Sequence, residues 1–273
     1  VIPNLEYMDI HFDEAHNWLS TNTIKYPMHC LKELCVRSVE SGELLRQFLY
    51  RMPNLEKLNL FDFYSPHLLK ESSVPCLGTV LQLKELVLRY SSKIKDLGFE
   101  REPVLQRLEL LTLFSCHKLS NLAPPSVSLA YLTCLEVSFC HGLNYLMASS
   151  TAQSLVQLKT MKVTHCDNVK EIVTIDEHKE GKVTEIEFSK LITIELVGLT
   201  NLRSFCSYKN CEFKFPSLEM LIVSHCSIME TFTENRTTAP KLQNILDFGG
   251  EKESRWQWEG DLNATIQKDL KNK

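Results

Sequence analysis

One leucine pattern recurs along most of this 273-residue chain and constrains its fold more than any other feature. We call it the leucine frame: L-x-x-L-x-[L/V]-x-x-C-x-x-L-x-x-L, with related apolar residues in place of some leucines. Its clearest copies are LELLTLFSCHKLSNL (108–122), LTCLEVSFCHGLNYL (132–146), LKTMKVTHCDNVKEI (158–172) and LEMLIVSHCSIMETF (218–232). Looser copies begin at Leu5, Leu31, Leu55, Leu83 and Leu191, so nine copies follow one another at intervals of 24 to 33 residues. Such an interval is the signature of a repeat architecture.

Inside each frame, the L-x-[L/V] segment has an apolar residue at every second position, which places those residues on one side of a short strand. One strand cannot bury those leucines alone, but strands stacked in parallel about 4.8 Å apart bury them in a continuous core. The chain must return between strands, and the returns SGELLRQFLYRM (41–52) and SLVQLK (154–159) are predicted to be helical or turn-like. The sequence therefore predicts an α/β repeat fold, a leucine-rich-repeat solenoid (horseshoe) with a parallel β-sheet on its concave face.

The repeats are predicted to fill residues 1–239, with a degenerate capping repeat and a C-terminal tail in 240–273. Leu242 begins a tenth frame, in which Asp247 stands where an inward leucine is expected. In the tail, Asp261 is a candidate N-cap for a short helix. The apolar face of that helix would carry Leu262, Ile266 and Leu270.

One return is longer than the others and widens an interval to 33 residues. It contains the charged stretch IDEHKEGK (175–182), which is predicted to be a solvent-exposed loop.

The cysteine of the frame is predicted to fill a turn that faces the core after each strand. Four frames carry it, as Cys116, Cys140, Cys166 and Cys226. Cysteine is small and tolerates burial, which suits a crowded turn. Each has a histidine neighbour, but adjacent residues on an extended chain point to opposite sides, so the pair cannot converge on a metal or act as nucleophile and base. We therefore predict no catalytic and no metal-binding residue, and free thiols in a reducing compartment.

Charge and motifs disfavour several classes of function. The net charge is −4 with both signs interspersed, so a nucleic-acid partner is not expected. The chain has no run of 18 apolar residues and no motif of the P-loop, GxGxxG, HExxH or GxSxG type. No transmembrane segment, enzymatic activity or cofactor is therefore expected in this segment. Its start carries no secretory signal, which favours a cytoplasmic location.

The candidate binding surface consists of the residues between and just after the inward leucines, which would face the concave side. Their mixture of aromatic, charged and apolar types suits a protein partner better than a phosphate backbone. The candidate partner-binding residues are Arg37, Phe61, Arg89, Tyr90, Phe114, Glu136, Phe139, Lys162, His165, Glu195, Ile222 and His225.

Four further stretches carry a family resemblance: IEFSKL (186–191), LTNLRSFCS (199–207), FKFPSLEML (213–221) and WEGDLNATIQK (258–268). Together with the cysteine-bearing frame, they resemble the C-terminal leucine-rich repeats of plant intracellular disease-resistance proteins. These are immune receptors with coiled-coil, nucleotide-binding and leucine-rich-repeat domains.

The resemblance implies a role in defence, in which such repeats sense a pathogen effector or an effector-modified host protein. It also implies contact with the receptor's own nucleotide-binding domain, which the repeats restrain. ATP or ADP would bind only in that domain. The chain begins inside a patterned segment without an initiator Met, so we expect a fragment whose coiled-coil and nucleotide-binding domains lie upstream.

Two alternatives remain at this stage. Similar repeats occur in F-box substrate receptors of ubiquitin ligases, although these tend to continue with an ITDxGL-like segment after the cysteine. The continuations here are HKLSNL, HGLNYL and DNVKEI. A stand-alone leucine-rich-repeat scaffold would have the same sequence pattern.

Overall fold

The fold is described from a computed structural model over residues 5–11, 28–68, 83–99, 103–176, 183–247, 254–255 and 261–271. The described strands are β1 (Tyr7–His11), β2 (Glu33–Arg37), β3 (Lys57–Phe61), β4 (Glu85–Arg89), β5 (Leu110–Phe114), β6 (Cys134–Ser138), β7 (Tyr145–Ala148), β8 (Thr160–Thr164), β9 (Glu171–Thr174), β10 (Thr184–Glu187), β11 (Thr193–Val197), β12 (Cys211–Lys214), β13 (Met220–Ser224), β14 (Thr237–Thr238), β15 (Asn244–Asp247) and β16 (Ser254–Arg255). The described helices are α1 (Gly42–Leu49), α2 (Ser149–Ser154) and α3 (Leu262–Lys271), with a 3₁₀ helix at Pro103–Arg107.

The main sheet contains one strand from each leucine frame. Its order is β1-β2-β3-β4-β5-β6-β8-β11-β13-β15-β16, and every pair except the last is parallel. Equivalent frame positions lie side by side, as in the pairing of Leu111 with Leu135 and of Leu135 with Met161. The predicted solenoid with a parallel sheet is therefore confirmed. We call each strand with its return one coil.

The core consists of the inward side chains of these strands. In β6 and its flanks, Leu132, Leu135, Val137, Leu143 and Leu146 are all fully buried. Stacking the coils buries their leucines against the same positions of neighbouring coils, so the array shares one continuous apolar core.

The two returns predicted to be helical or turn-like contain a helix and a turn, respectively. Helix α1 forms within the predicted stretch 41–52 and buries Leu45 and Leu49. In the other predicted return, SLVQLK (154–159), helix α2 already ends at Ser154 and a turn follows. Leu155 and Leu158 are buried core residues of that turn, which leads directly into β8.

Returns of the C-terminal coils form strands, which the sequence analysis did not predict. Strands β7 and β9 pair in parallel, and β10, β12 and β14 form a further parallel sheet. Inside these returns lies an aromatic cluster of Phe188, Phe205, Phe213, Phe215 and Phe232, all of them buried. Their ring centroids lie 4.8 to 6.4 Å apart in stacked and edge-to-face contacts. Aromatic packing thus supplies the core where the returns are extended.

The long return is described only in part. Residues 177–182 of the predicted exposed loop lie outside the described residues. Asp176 precedes them, and its carboxylate accepts hydrogen bonds from the Ser149 hydroxyl (2.7 Å) and the Ser150 backbone N–H (2.9 Å) at the start of α2. The stretch VTEIEF after the loop contains β10, so this return carries regular structure at its end.

The C-terminal tail docks on the last coils through α3. Asp261 Oδ1 accepts a hydrogen bond from the Ala264 backbone N–H at 2.9 Å, as predicted for an N-cap. Leu262 and Ile266 are fully buried, whereas the side chain of Leu270 lies outside the described residues. The Asn263 amide bonds the backbone of Phe232 and Thr233 at 2.8 to 3.0 Å. The boundary between repeats and cap at residues 239 and 240 stays a prediction.

Candidate protein-binding surface

In each of the eight coils from β2 to β13 whose turn is described, the chain turns at the same point, directly after the main-sheet strand. The residue there has a positive φ between 52° and 64°: Ser38, Asp62, Tyr90, Ser115, Phe139, His165, Gly198 and His225. Its backbone N–H extends the ladder by one bond, as Phe139 does to the Thr164 carbonyl at 3.0 Å and His165 to the Val197 carbonyl at 2.8 Å. The chain then bends inward and the next side chain enters the core. This backbone requirement was not predicted from the sequence, although the glycine at position 198 was a signal of it.

In three successive coils the residue after the turn is a buried cysteine, and the sulfur atoms of these residues form a row. We call Cys116, Cys140 and Cys166 the thiol row. The Cys116 backbone N–H donates to Cys140 Sγ at 3.4 Å, and the Cys140 N–H donates to Cys166 Sγ at 3.3 Å. Contact with the Cys116 thiol, together with burial, raises the pKa of Cys140 to about 12. These buried thiols satisfy backbone donors and are poor nucleophiles.

The histidines beside these cysteines lie outside the core. The His117 and His141 rings stack with centroids 5.2 Å apart, and His141 Nδ1 lies 3.2 Å from Asp167 Oδ2. Within the described ranges, no three His, Cys, Asp or Glu side chains are placed to hold a metal ion.

The predicted concave face corresponds to the open face of the main sheet, where outward side chains alternate with buried ones. All twelve predicted binding residues lie on this face or at its adjoining turn, and they separate into local groups. The first group lies on β1 to β3. Arg37 Nη2 pairs with Asp9 Oδ2 at 3.0 Å, and its guanidinium lies 4.8 Å from the Phe61 ring centroid. The hydrogen bond from Arg37 lowers the pKa of the Asp9 carboxyl.

The second group is a continuous line of rings across four coils. We call Tyr90, Phe114, Phe139 and His165 the aromatic row. Successive ring centroids are 5.3, 5.1 and 4.8 Å apart. Tyr90 and Phe139 are 52% and 37% exposed, so the row presents apolar surface to solvent while its members support one another. Arg89 is exposed beside it at the end of β4.

The row stops at the next coil because Gly198 occupies the turn there. A Cβ atom at position 198 would lie 2.8 Å from His165 Cδ2. The glycine therefore leaves room for the His165 ring, which lies flat against Phe139 with an interplanar angle of 5°.

The third group is a chain of charges beside the aromatic row. Lys162 Nζ lies 3.6 Å from Glu136 Oε1 and 3.9 Å from Glu195 Oε2, which joins three adjacent strands. Exposed pairs of this kind add little to stability, but they set the charge pattern that a partner meets.

The remaining predicted residues lie near the C-terminal end of the sheet. Ile222 is partly exposed on β13. His225 is exposed at the turn, with its Nδ1 2.9 Å from the Ser224 hydroxyl. Both are separated from the aromatic row by the coil that carries Gly198, so the structure brings together most, but not all, of the predicted set.

A cavity away from the open face was not predicted. It has a volume of about 530 Å³ and is lined by Glu187, Lys214, Pro216, Arg236, Thr237, Thr238, Ala239, Pro240 and Asp261. Lys214 pairs with Glu185 at 2.7 Å, and this contact raises the pKa of Lys214. Charges of both signs line the cavity, which therefore does not select a ligand of one charge.

The parallel sheet, the buried thiol row and the repeated turn define a leucine-rich-repeat protein. Residues 120–245 match the family described as plant disease resistance protein RPS2-like, leucine-rich repeats. The match covers just under half of the chain and, over that segment, confirms the resemblance to the leucine-rich repeats of plant disease-resistance proteins. Comparison with curated proteins gave no match. Among the described residues, none of the helices has the length and apolar character that crossing a bilayer demands.

Proposed function

We propose that the open face binds protein partners, and that the chain is the recognition and autoregulatory segment of a plant immune receptor. The main structural support for this proposal is the aromatic row. It exposes rings on four neighbouring coils in a preorganised line, and buried aromatic anchors dominate the binding energy of protein interfaces. The family match supports the defence context.

The charges around the row favour a protein over a nucleic acid. Lys162 pairs with Glu136 and Glu195 on the two adjacent strands, and Arg37 pairs with Asp9. A phosphate backbone needs uncompensated lysines and arginines, whereas a protein interface combines an aromatic centre with a rim of both signs.

The proposed partners are a pathogen effector, a host protein that an effector has altered, and the receptor's own nucleotide-binding domain. In this proposal the segment acts in the cytoplasm by binding rather than by catalysis. Any ATP or ADP belongs to the nucleotide-binding domain and not to the repeats.

A matched pair of variants tests the surface. The triple variant Tyr90→Ala, Phe139→Ala and His165→Ala removes rings from the open face. The control, Tyr131→Ala, Val156→Ala and Ile228→Ala, removes exposed apolar side chains outside the main sheet. In the full receptor, both are assayed for effector-dependent cell death and for capture of the nucleotide-binding domain.

We expect the open-face variant to weaken binding by at least about 30-fold, the effect of losing one hot spot, and the control to leave it unchanged. Equal behaviour of the two variants would overturn the proposed surface.

The reading frame upstream tests the receptor context separately. A P-loop followed by a winged-helix segment supports it, whereas an F-box would assign the repeats to substrate delivery for a ubiquitin ligase.

A further inference from the structure

Two cysteines outside the thiol row meet in the C-terminal coils. The backbone of Cys206 forms an isolated parallel β-bridge with Thr233, and Cys211 is the first residue of β12. Both are free thiols that are almost fully buried, and the Cys211 thiol hydrogen-bonds to the Cys206 sulfur. The fold therefore holds two thiols in contact at the two ends of one short loop.

The loop between them, residues 207–210, lies largely at the surface. The Cys211 backbone N–H donates to the Tyr208 carbonyl at 3.2 Å, which closes the loop on itself. Its first residue is held by Glu171 Oε2, which accepts from the Ser207 hydroxyl at 2.6 Å and from the Ser207 N–H at 3.2 Å. The loop belongs to no strand of the main sheet, so its local opening, which we expect to expose the sulfurs, need not unpair that sheet.

The environment of Cys206 differs from that of the thiol row. Cys140 and Cys166 lie on separate coils. Contact with Cys116 and burial raise the pKa of Cys140, and contact with Cys140 and burial raise the pKa of Cys166. At Cys206 the hydrogen bond from Cys211, assisted by the Tyr208 N–H, lowers the pKa. Thiolate, the reactive form, is thus favoured at Cys206 and disfavoured in the thiol row.

We propose that Cys206 and Cys211 form a peroxide-sensitive dithiol that closes to an intrachain disulfide. The Cys206 thiolate attacks one peroxide oxygen, the O–O bond breaks, and the departing hydroxide takes a proton to leave as water. The Cys211 thiol then loses its proton and attacks the resulting sulfenic acid, which expels a second water as the S–S bond forms. Two thiols lose two electrons, and one hydrogen peroxide becomes two waters.

Trypsin provides a direct readout because Lys209 lies between the two cysteines. The folded chain is treated with hydrogen peroxide, remaining thiols are alkylated under acid quench, and the digest is analysed by mass spectrometry. We expect the peptides SFCSYK (204–209) and NCEFK (210–214) to appear as one linked species, lighter by two hydrogen atoms than their sum. Dithiothreitol should separate them, and the thiol row should remain alkylatable after denaturation.

The variant Cys211→Ser removes the partner and should trap Cys206 as a sulfenic acid that reacts with dimedone. The variant Cys206→Ser should abolish both the linked species and dimedone labelling of Cys211. Circular dichroism of each variant verifies that it is folded.

Two outcomes would overturn the proposal. One is a linked species that appears only after the chain is denatured. The other is oxidation of Cys206 to sulfinic acid in the folded wild type without any link to Cys211.

Discussion

The thiol row and the aromatic row meet at the turns of two coils, where they lie on opposite sides and use the repeat in opposite ways. Inside, Cys140 and Cys166 accept backbone hydrogen bonds from the coil before them and are fully buried. Outside, Phe139 and His165 stack on each other in solvent, one residue earlier in the chain. One side of the turn therefore maintains the fold, and the other displays a surface whose side chains the fold does not require.

The largest expected effect is on the inward side. Leu135→Asp would place an unpaired carboxylate at a fully buried core position of β6, at a cost of more than about 4 kcal/mol in the free energy of unfolding. Glu136→Ala, its outward neighbour, should change that free energy by no more than about 0.5 kcal/mol. Urea unfolding with hydrogen exchange measures both, since repeat arrays can lose structure locally. Equal destabilisation by the two substitutions would refute the assignment of inward and outward faces.

A smaller effect is expected within the thiol row. Cys140→Ala removes the acceptor of the buried Cys116 N–H and should cost about 2 kcal/mol. His141→Ala removes a stacked ring and the contact of Nδ1 with Asp167 outside the core, and should cost about 0.5 kcal/mol. Thermal unfolding of the two variants compares them. A greater loss from the histidine substitution would mean that the outer side also maintains the fold.

The aromatic row offers a test at Phe139. There a glycine variant should be more stable than an alanine variant, which is the reverse of the usual order. Phe139 has a φ of 55°, which a side chain disfavours and glycine tolerates. Phe139→Ala loses the ring contacts and keeps the backbone strain of the positive φ. Phe139→Gly loses the same contacts but removes that backbone strain. We expect the glycine variant to be about 1 kcal/mol more stable than the alanine variant in chemical unfolding.

The control for this pair is the preceding strand residue, Ser138. There glycine should be less stable than alanine, because the backbone is extended and glycine only adds freedom to the unfolded chain. The same order at both positions would show that the left-handed turn carries no strain.

The smallest effect concerns the outward charges. Arg37 holds the pKa of Asp9 below its ordinary value, so Asp9 stabilises the fold at neutral pH. That contribution is lost as the pH falls from the ordinary aspartate value, about 4, through the lower folded value. Arg37→Gln should return the pKa of Asp9 toward the ordinary value, as measured by NMR titration of its carboxyl carbon. An unchanged Asp9 titration would show that the ion pair does not form in solution.

Features set by local alternation could be predicted from the sequence. The inward positions Leu132, Leu135 and Val137 are predictable because a strand has a period of two. The burial of Cys140 follows once the frame is recognised, since its position relative to β6 is constant. The candidate binding residues were predicted by the same alternation, and their role as contacts stays a prediction.

The remaining features depend on contacts between coils. EIVT (171–174) and CEFK (211–214) are only four residues long, too short for their periodicity to distinguish strand from turn, and each forms a strand paired with a neighbouring coil. Stacking of Phe139 on His165 needs the register of two coils 26 residues apart in the frame. The contact of Cys206 with Cys211 likewise needs the folded loop.

Strand β16 has a consequence for the colloidal behaviour of the protein. Parallel arrays with exposed terminal strands can join end to end, because each unpaired edge is a template for another chain. Here Ser254–Arg255 folds back and pairs antiparallel with Leu246 and Asp247. The terminal strand of the sheet is therefore only two residues long, so it offers a second molecule a shorter template than β15 alone would, which disfavours growth into fibres at this edge.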